Sequence, residues 1–230
     1  MPLSPRRNTR AVLFDLDGTL YRAAPMRRRM LRELALAPLR VGPGRARRIL
    51  RHLRVFRSVR EELRDLGRPG EPLEELQYRV PAERMGEDPG ALRVTVEDWM
   101  LRRPLRHLGR CARRGLGGVL AELARRDLRL GVFSDYPVEE KLEALGVRPA
   151  FDLRLCALDR EVNAFKPHPR GFLVACERWG VEPGDVLYVG DRADVDERGA
   201  REAGMPCLVV GADRSRRGGA LKEVLDALES

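Results

Sequence analysis

The segment Val12 to Leu20 reads Val-Leu-Phe-Asp-Leu-Asp-Gly-Thr-Leu, and it is the stretch from which the fold can be predicted. Its short apolar run is typical of a strand buried in a parallel sheet. Gly18 permits the turn that leaves Asp15 and Asp17 at the carboxyl end of that strand, where open α/β sheets bind their ligands. Alternate residues of a strand point the same way, so both carboxylates are expected to face one site.

Two carboxylates in one cleft are compatible with three kinds of chemistry. They can hold a cation, share one proton, or act separately as a nucleophile and an acid. The residues alone leave all three open. A calcium loop of the EF-hand type is disfavoured, because its sixth and twelfth positions need Gly and Glu but hold Leu20 and Met26.

Two further polar groups follow apolar runs at fixed places. The run 129–134 ends in Ser134, although a lone serine there is more often a turn former or a helix cap. Lys166 lies in Phe-Lys-Pro-His-Pro and is one of only three lysines among 44 lysines and arginines. A chain that otherwise uses mainly arginine but has lysine before a rigid proline indicates that a compact ammonium group is required at this position. The alternative is an ordinary surface lysine.

A fourth element combines a strand with several carboxylates. The apolar run 186–190 ends at Gly190, and Asp191 follows it directly. Asp194 and Asp196 lie in the same loop. The sequence therefore places acidic, hydroxyl and ammonium groups after separate predicted strands.

This ordered set resembles the haloacid dehalogenase (HAD) superfamily of phosphatases and phosphotransferases. The family pattern is Asp-x-Asp-x-Thr, a strand-end Ser or Thr, a Lys, and Gly-Asp with a second acidic residue four or five positions on. The resemblance covers about residues 10–20 and 117–210. Asp196 has the family spacing and is favoured as the second acidic residue over Asp194, which is one position short of it.

The resemblance implies a mechanism and a role for each residue. Asp15 would attack phosphorus and form an aspartyl-phosphate, while Asp17 would protonate the leaving group and then activate water. This acid role implies a raised pKa for Asp17. The remaining implied roles are phosphate contacts from Ser134, Lys166, Gly18 and Thr19, Mg²⁺ binding by Asp15, Asp191 and the Asp17 backbone, and support of Lys166 or a metal-bound water by Asp196, with Asp194 as the alternative.

The fold implied by the resemblance is α/β, a doubly wound parallel, Rossmann-like sheet core with an all-helical cap inserted after the first strand. Its helices would form right-handed crossovers. The strands are expected near residues 11–14, 130–134, 152–156, 186–190 and 206–210. Residues 214–219, rich in Arg and Gly, predict a surface loop before a last helix at 221–228.

The cap is predicted from apolar residues at helical intervals. These apolar residues occur in four segments, at 26–39, 44–66, 72–78 and 91–108. Stretches that contain proline and glycine separate the segments, and the last of these stretches is 81–90. We therefore expect a catalytic core of residues 1–21 and 112–230 and a helical cap of residues 22–111.

Charge is distributed unevenly between these parts. Residues 22–114 contain 24 arginines, no lysine and 12 acidic residues, so this segment carries +12 and the remainder −3 of the net charge of +9. The excess could attract a phosphorylated anion, bind a polyanion, or reflect a genome that favours arginine codons.

The composition indicates a cytoplasmic protein. No stretch approaches the roughly 20 apolar residues of a membrane span, and the charged amino terminus precedes too short an apolar run for a signal peptide. The four cysteines and three histidines are scattered, which predicts reduced thiols and no zinc site. We expect no membrane partner, and a monomer or homodimer.

The function predicted is Mg²⁺-dependent hydrolysis of a small phosphorylated metabolite. Dehalogenases of the superfamily lack the second carboxylate, which is present here as Asp17. Relatives that cleave phosphonates use a cap lysine, and this cap has none. A phosphotransferase or sugar phosphomutase is the alternative on the same scaffold. A second alternative is a non-catalytic polyanion-binding module using the Arg-rich cap, although nucleic acid is not the expected partner.

Overall fold

The computed structural model describes residues 9–210 and 221–229, in which five parallel strands form one sheet. The strands are β1 Ala11–Phe14, β2 Arg129–Ser134, β3 Leu153–Cys156, β4 Val186–Gly190 and β5 Cys207–Val209. Their spatial order is β3-β2-β1-β4-β5. β1 therefore lies at the centre, with β2 and β4, which are distant in sequence, as its neighbours.

The central strand is apolar along its whole length because both faces of the sheet are covered. All four residues of β1 are fully buried. Leu13 packs into the apolar cluster on one face, whereas Val12 and Phe14 pack into the cluster on the other. This alternation explains the continuous apolar run that the sequence shows.

Helices cover both faces. α7 Leu116–Arg125, α8 Glu139–Ala144 and α11 Lys222–Glu229 contribute to one apolar cluster. α9 Arg170–Trp179 and α10 Arg198–Glu202 contribute to the other. The predicted α/β, doubly wound fold is confirmed. The predicted loop at 214–219 lies outside the described residues.

The segment between β1 and β2 is helical, as predicted. It contains α1 Ala23–Ala35, α2 Ala37–Val41, α3 Pro43–Asp65, α4 Leu73–Met85, α5 Pro89–Val96, a π-helical turn Glu97–Arg102 and α6 Arg103–Cys111. The single helix predicted over 26–39 is wrong, because the chain breaks at Leu36 and Pro38 occupies the first turn of a new helix.

The predicted helix end at Tyr78 is also wrong. α4 continues through Pro81 to Met85 and stops at Gly86, whose φ of 65° is left-handed. A proline inside a helix removes one backbone hydrogen bond. Here that loss is offset by packing, because Tyr78, Ala82 and Met85 join Phe56 in a buried cluster.

The two chain crossings between the sheet and the helical segment lie side by side. Tyr21 and Ala112 form an antiparallel bridge. The N–H of Arg22 donates to the Cys111 carbonyl at 2.9 Å, and the N–H of Arg113 donates to the Leu20 carbonyl at 3.1 Å. The assignment of residues 22–111 to a separate cap domain stays a prediction.

The sequence also led to expectations about membrane spans, cysteines, location and oligomeric state. Within the described ranges, none of the helices is both apolar and long enough to cross a bilayer. The four cysteines are free thiols. The cytoplasmic location and the monomeric or homodimeric state stay predictions.

Candidate active site

Strand pairing brings three of the predicted site residues to one edge of the sheet. Phe14 of β1 is in register with Val132 of β2 and Val189 of β4. Because all three strands are parallel, the residues that follow these positions meet at the carboxyl edge. Asp15, Ser134 and Asp191 reach the same site in this way.

Lys166 lies at the centre of the buried part of this site. Its Nζ donates to Asp15 Oδ1 at 2.7 Å, to Asp196 Oδ1 at 2.7 Å and to the Tyr188 hydroxyl at 3.0 Å. These three bonds use all three donors of the ammonium group. Burial by itself lowers the pKa of Lys166, but Asp15, Tyr188 and Asp196 outweigh it and hold the pKa well above its usual value. The lysine is therefore a fixed positive charge between two carboxylates.

Asp196 is held from both sides. Its Oδ2 accepts hydrogen bonds from the backbone N–H groups of Asp191 at 3.1 Å and Arg192 at 3.0 Å. Asp196 therefore connects the Lys166 ammonium to the loop that carries Asp191. Asp194 lies elsewhere, with its side chain 69% exposed and paired with Arg192 at the surface.

An acidic cluster beside Lys166 has the properties of a cation site. Carboxylate oxygens of Asp15, Asp191 and Asp196 lie within 4.8 Å of one another. Asp15 Oδ2 is buried and has no hydrogen-bond partner among the described residues, which is unusual for a buried acceptor. A set of hard oxygen donors with an unsatisfied carboxylate fits Mg²⁺.

The pKa directions agree with crowded negative charge in this cluster. Burial, opposed by Lys166 and reinforced by Asp196 and Asp17, raises the pKa of Asp15 to about 8. Burial and Asp196 raise the pKa of Asp191 to about 6. A bound cation would offset both effects, because it favours the ionised carboxylates.

Gly18 allows the loop after β1 to pass close to Asp191. Its φ is 106°, and a Cβ atom added there would lie 2.0 Å from Asp191 Oδ2. Any side chain would therefore displace a member of the acidic cluster. Gly18 serves the site by its small size, and its carbonyl is fixed by a hydrogen bond from Arg113 Nη2 at 2.7 Å.

Asp17 faces a different set of partners from Asp15. Lys141 Nζ donates to both of its carboxylate oxygens at 2.7 Å, and the Tyr21 hydroxyl donates to Oδ1 at 2.6 Å. Ser134 Oγ donates to Oδ2 at 3.3 Å. The Asp17 carboxylate is thus absent from the acidic cluster, and a metal contact from this residue would have to come from its backbone, as predicted from the resemblance.

The predicted raised pKa of Asp17 is wrong for this structure. Burial does raise the pKa of this carboxyl group, but the charge and hydrogen bonds of Lys141 and the hydrogen bond from Tyr21 outweigh it. The net effect is a lowered pKa. The resting site therefore holds Asp17 as a carboxylate in an ion pair.

Lys141 is the residue that sequence reasoning missed. It lies on α8, seven positions after Ser134, and its side chain is only 7% exposed. The rarity of lysine, which pointed to Lys166, was an equal signal for Lys141. The third lysine, Lys222, is exposed on α11.

Thr19 and Ser134, two of the predicted phosphate contacts, differ in their hydrogen bonding. Thr19 is fully buried, and its hydroxyl has no hydrogen-bond partner among the described residues. Its carbonyl instead accepts from Arg113 Nε at 2.7 Å. Ser134 Oγ accepts from the N–H of Tyr136 at 3.2 Å while it donates to Asp17. The serine is therefore placed at the site with its hydroxyl oriented.

The helical segment reaches the site through Arg64 of α3. Its Nη1 donates to Asp135 Oδ2 at 2.6 Å and to the Lys166 carbonyl at 2.5 Å. Asp135 Oδ1 also accepts from the Lys166 N–H at 3.1 Å. This arrangement fixes the backbone of Lys166 against both the loop after β2 and the helices.

The fold and the strand-end cluster together define an α/β enzyme that acts at the carboxyl edge of a parallel sheet. The family model for haloacid dehalogenase-like hydrolases matches residues 9–204. The chain belongs to this family.

Curated relatives and a solved structure agree with this assignment. The chain is 30% identical to a glyceraldehyde 3-phosphate phosphatase of Methanopyrus kandleri, over 91% of this chain and 84% of that protein. It is 30% identical to a phosphoglycolate phosphatase of Escherichia coli O157:H7, over 90% of this chain and 82% of that protein. A crystal structure of a HAD phosphatase from Thermococcus onnurineus matches with a TM-score of 0.60 and 26% identity, covering 95% of this chain and 97% of the other. The prediction of a phosphatase of this superfamily is confirmed.

Proposed function

We propose that the protein is a Mg²⁺-dependent phosphomonoester hydrolase that acts on a small phosphorylated metabolite through an aspartyl-phosphate on Asp15. One observation carries this proposal. Asp15 is a buried carboxyl group beside Asp191; one of its oxygens accepts a hydrogen bond from Lys166, and the other has no partner among the described residues. The substrates named for the two relatives are small phosphorylated metabolites, which supports the substrate class.

In the proposed first step, the Asp15 carboxylate attacks phosphorus and the bond to the leaving oxygen breaks. A phosphate ester is itself an anion, so attack by a carboxylate needs neutralising charge on both sides. Lys166 supplies one positive charge. Asp15, Asp191 and the Asp17 carbonyl would hold Mg²⁺, which when bound would neutralise phosphoryl charge as a Lewis acid.

Asp17 is proposed as the proton carrier of both steps. Because the resting site lowers its pKa, the proton must come with substrate binding. A phosphoryl anion beside Asp17 adds negative charge, which raises the carboxyl pKa. Asp17 then protonates the leaving oxygen and, in the second step, takes a proton from the water that hydrolyses the aspartyl-phosphate.

The experiment that tests the proposal is a screen of phosphorylated metabolites with Mg²⁺, reading released inorganic phosphate. Release from a phosphomonoester supports the hydrolase. Transfer of phosphate to a second sugar hydroxyl without release would favour the phosphomutase alternative. Binding of nucleic acid in an electrophoretic assay, with no release from any ester, would favour the polyanion-binding alternative.

The metal role of Asp191 predicts a change in Mg²⁺ dependence. Asp191→Asn removes one anionic ligand and is expected to raise the Mg²⁺ concentration for half-maximal activity by about tenfold, roughly 1.4 kcal/mol of binding free energy. Titration of Mg²⁺ against phosphate release measures this. Asp194→Asn is the matched control, because Asp194 lies in the same loop but points to solvent. An unchanged midpoint for Asp191→Asn, or an equal shift in both variants, would contradict the assigned ligand.

The ion pair between Lys141 and Asp17 predicts a second outcome. Lys141→Gln is expected to lower kcat/KM by about a hundredfold, in the range found when one preorganised electrostatic group is removed. Because a cation no longer favours the Asp17 carboxylate, the limb of the pH profile that belongs to Asp17 should move to higher pH. Lys222→Gln, on the exposed lysine, should change neither quantity. A profile that keeps its position would show that Lys141 does not control Asp17.

A further inference from the structure

A cavity of about 340 Å³ opens beside Asp17 and Lys141, on the side of the site that the helical segment covers. Nine of the fifteen residues around it are apolar. Most of the apolar wall comes from α1, α3 and the helices before β2, through Met26, Met30, Leu34, Leu53, Trp99 and Leu108. The cavity therefore begins at the proposed proton carrier and continues between apolar side chains.

The polar groups of this cavity are concentrated at two places. Asp17, Tyr21 and Lys141 lie together, and their polar atoms are hydrogen-bonded to one another. Tyr136 belongs to the same place, because the centre of its ring lies 5.0 Å from Lys141 Nζ. Arg27 and Arg57 are solvent-exposed and therefore mark the mouth. The wall between these two places is built from the apolar side chains, and cavities of this volume and character hold apolar ligand groups.

We infer that the leaving group of the substrate is apolar, an aryl group or an alkyl chain of about four to eight carbons, seated in this cavity with its oxygen next to Asp17. This inference rests on the proposed hydrolase function. The position of Asp17 determines how the substrate is oriented, because the acid that protonates the leaving oxygen must lie beside that oxygen. Everything attached to that oxygen then extends into the apolar space.

The apolar wall also argues against a short polar leaving group. The carboxylate of a glycolate unit or the hydroxyl of a glyceraldehyde unit would lose water on entering and find few partners on Met, Leu and Trp side chains. Burying a polar group without a hydrogen bond is costly. An alkyl group gains free energy instead, corresponding to about a fourfold gain in affinity per buried methylene.

The test is a homologous series at constant free Mg²⁺. kcat/KM is measured for ethyl, butyl, hexyl and phenyl phosphate, alongside phosphoglycolate and glyceraldehyde 3-phosphate. The expected result is a rise of about tenfold or more from ethyl to hexyl phosphate, with phenyl phosphate above both polar substrates. A flat series, or a preference for either polar substrate, overturns the inference and leaves the hydrolase proposal intact.

Variants of the wall give an independent measurement. Leu34→Gln and Met30→Gln place an amide on the cavity wall at half-buried positions, and each should lower kcat/KM for hexyl phosphate about tenfold more than it lowers kcat/KM for phosphoglycolate. Leu36→Gln is the matched control, because Leu36 follows α1 and is 44% exposed outside the cavity. Equal losses on both substrates overturn the inference.

Calorimetry with Asp15→Asn separates this inference from the proposed function. Binding of hexyl phosphate at least tenfold tighter than phosphoglycolate supports an apolar leaving-group site. If wild-type protein shows that preference but releases phosphate from no ester, the hydrolase proposal fails while the apolar site stands. Equal or reversed affinities overturn the apolar site whatever the activity.

Discussion

Asp15→Asn is expected to abolish phosphate release while the protein stays folded. The amide keeps the shape of the side chain and can still accept a hydrogen bond from Lys166, but it is a far weaker nucleophile than a carboxylate. Without the aspartyl-phosphate, the two-step hydrolysis cannot proceed. We expect kcat to fall by at least a thousandfold, which corresponds to about 4 kcal/mol in the activation barrier.

The measurement is initial-rate phosphate release, with circular dichroism and thermal unfolding to verify the fold. Asp194→Asn is the control, since it makes the same chemical change on an exposed carboxylate and should keep wild-type kcat. Mass spectrometry excludes deamidation of Asn back to Asp. A variant that retains a tenth of wild-type kcat, without deamidation, contradicts the role of Asp15.

The strands of the sheet could be predicted because short, local stretches of sequence identify them. Strands β1 and β4 are short apolar runs, each followed directly by an aspartate, and a parallel sheet buried on both faces needs such runs. The meeting of Asp15 with Asp191 was implied by the resemblance, which assigned both residues to one Mg²⁺ site. The structure has these strands paired through Phe14 and Val189.

The partners of Asp17 were not predictable from local patterns. Whether Lys141 points at Asp17 depends on how α8 packs against α6, which precedes β2 in the chain, and this is a long-range property. The pKa of Asp17 depends in turn on that contact. The same limit explains the error at Pro81, where burial of neighbouring side chains outweighs the local preference of proline to end a helix.

Lys166→Met is expected to destabilise the protein strongly as well as to inactivate it. The ammonium group lies between the carboxylates of Asp15 and Asp196, each 2.7 Å away, and all three side chains are buried. Removing one partner of a buried ion pair leaves charge uncompensated and typically costs about 3–5 kcal/mol. For a chain of this length the melting temperature should fall by about 10 °C.

The loss of stability in Lys166→Met should also increase with pH. The folded-state pKa of Asp15 is already raised to about 8 in the wild type, and loss of Lys166 removes the main effect that opposes this rise, so the pKa rises further. The folded state then binds more protons than the unfolded state, and stability falls as pH rises. Because Asp15 is protonated in both folded proteins well below pH 8, the deficit of Lys166→Met relative to wild type should grow as pH rises through about 8, and be larger at pH 9 than at pH 6.

Lys222→Met is the control that isolates burial from the loss of a lysine. Lys222 is exposed at the start of α11, so its replacement should shift the melting temperature by less than about 2 °C at either pH. Thermal unfolding of the three proteins, followed by circular dichroism at both pH values without added Mg²⁺, provides the comparison. An equal, pH-independent change in both variants would mean that Lys166 does not compensate the buried carboxylates. A large, pH-dependent deficit confined to Lys166→Met would identify the Lys166 ammonium as the charge that lowers the cost of ionising Asp15 inside the protein.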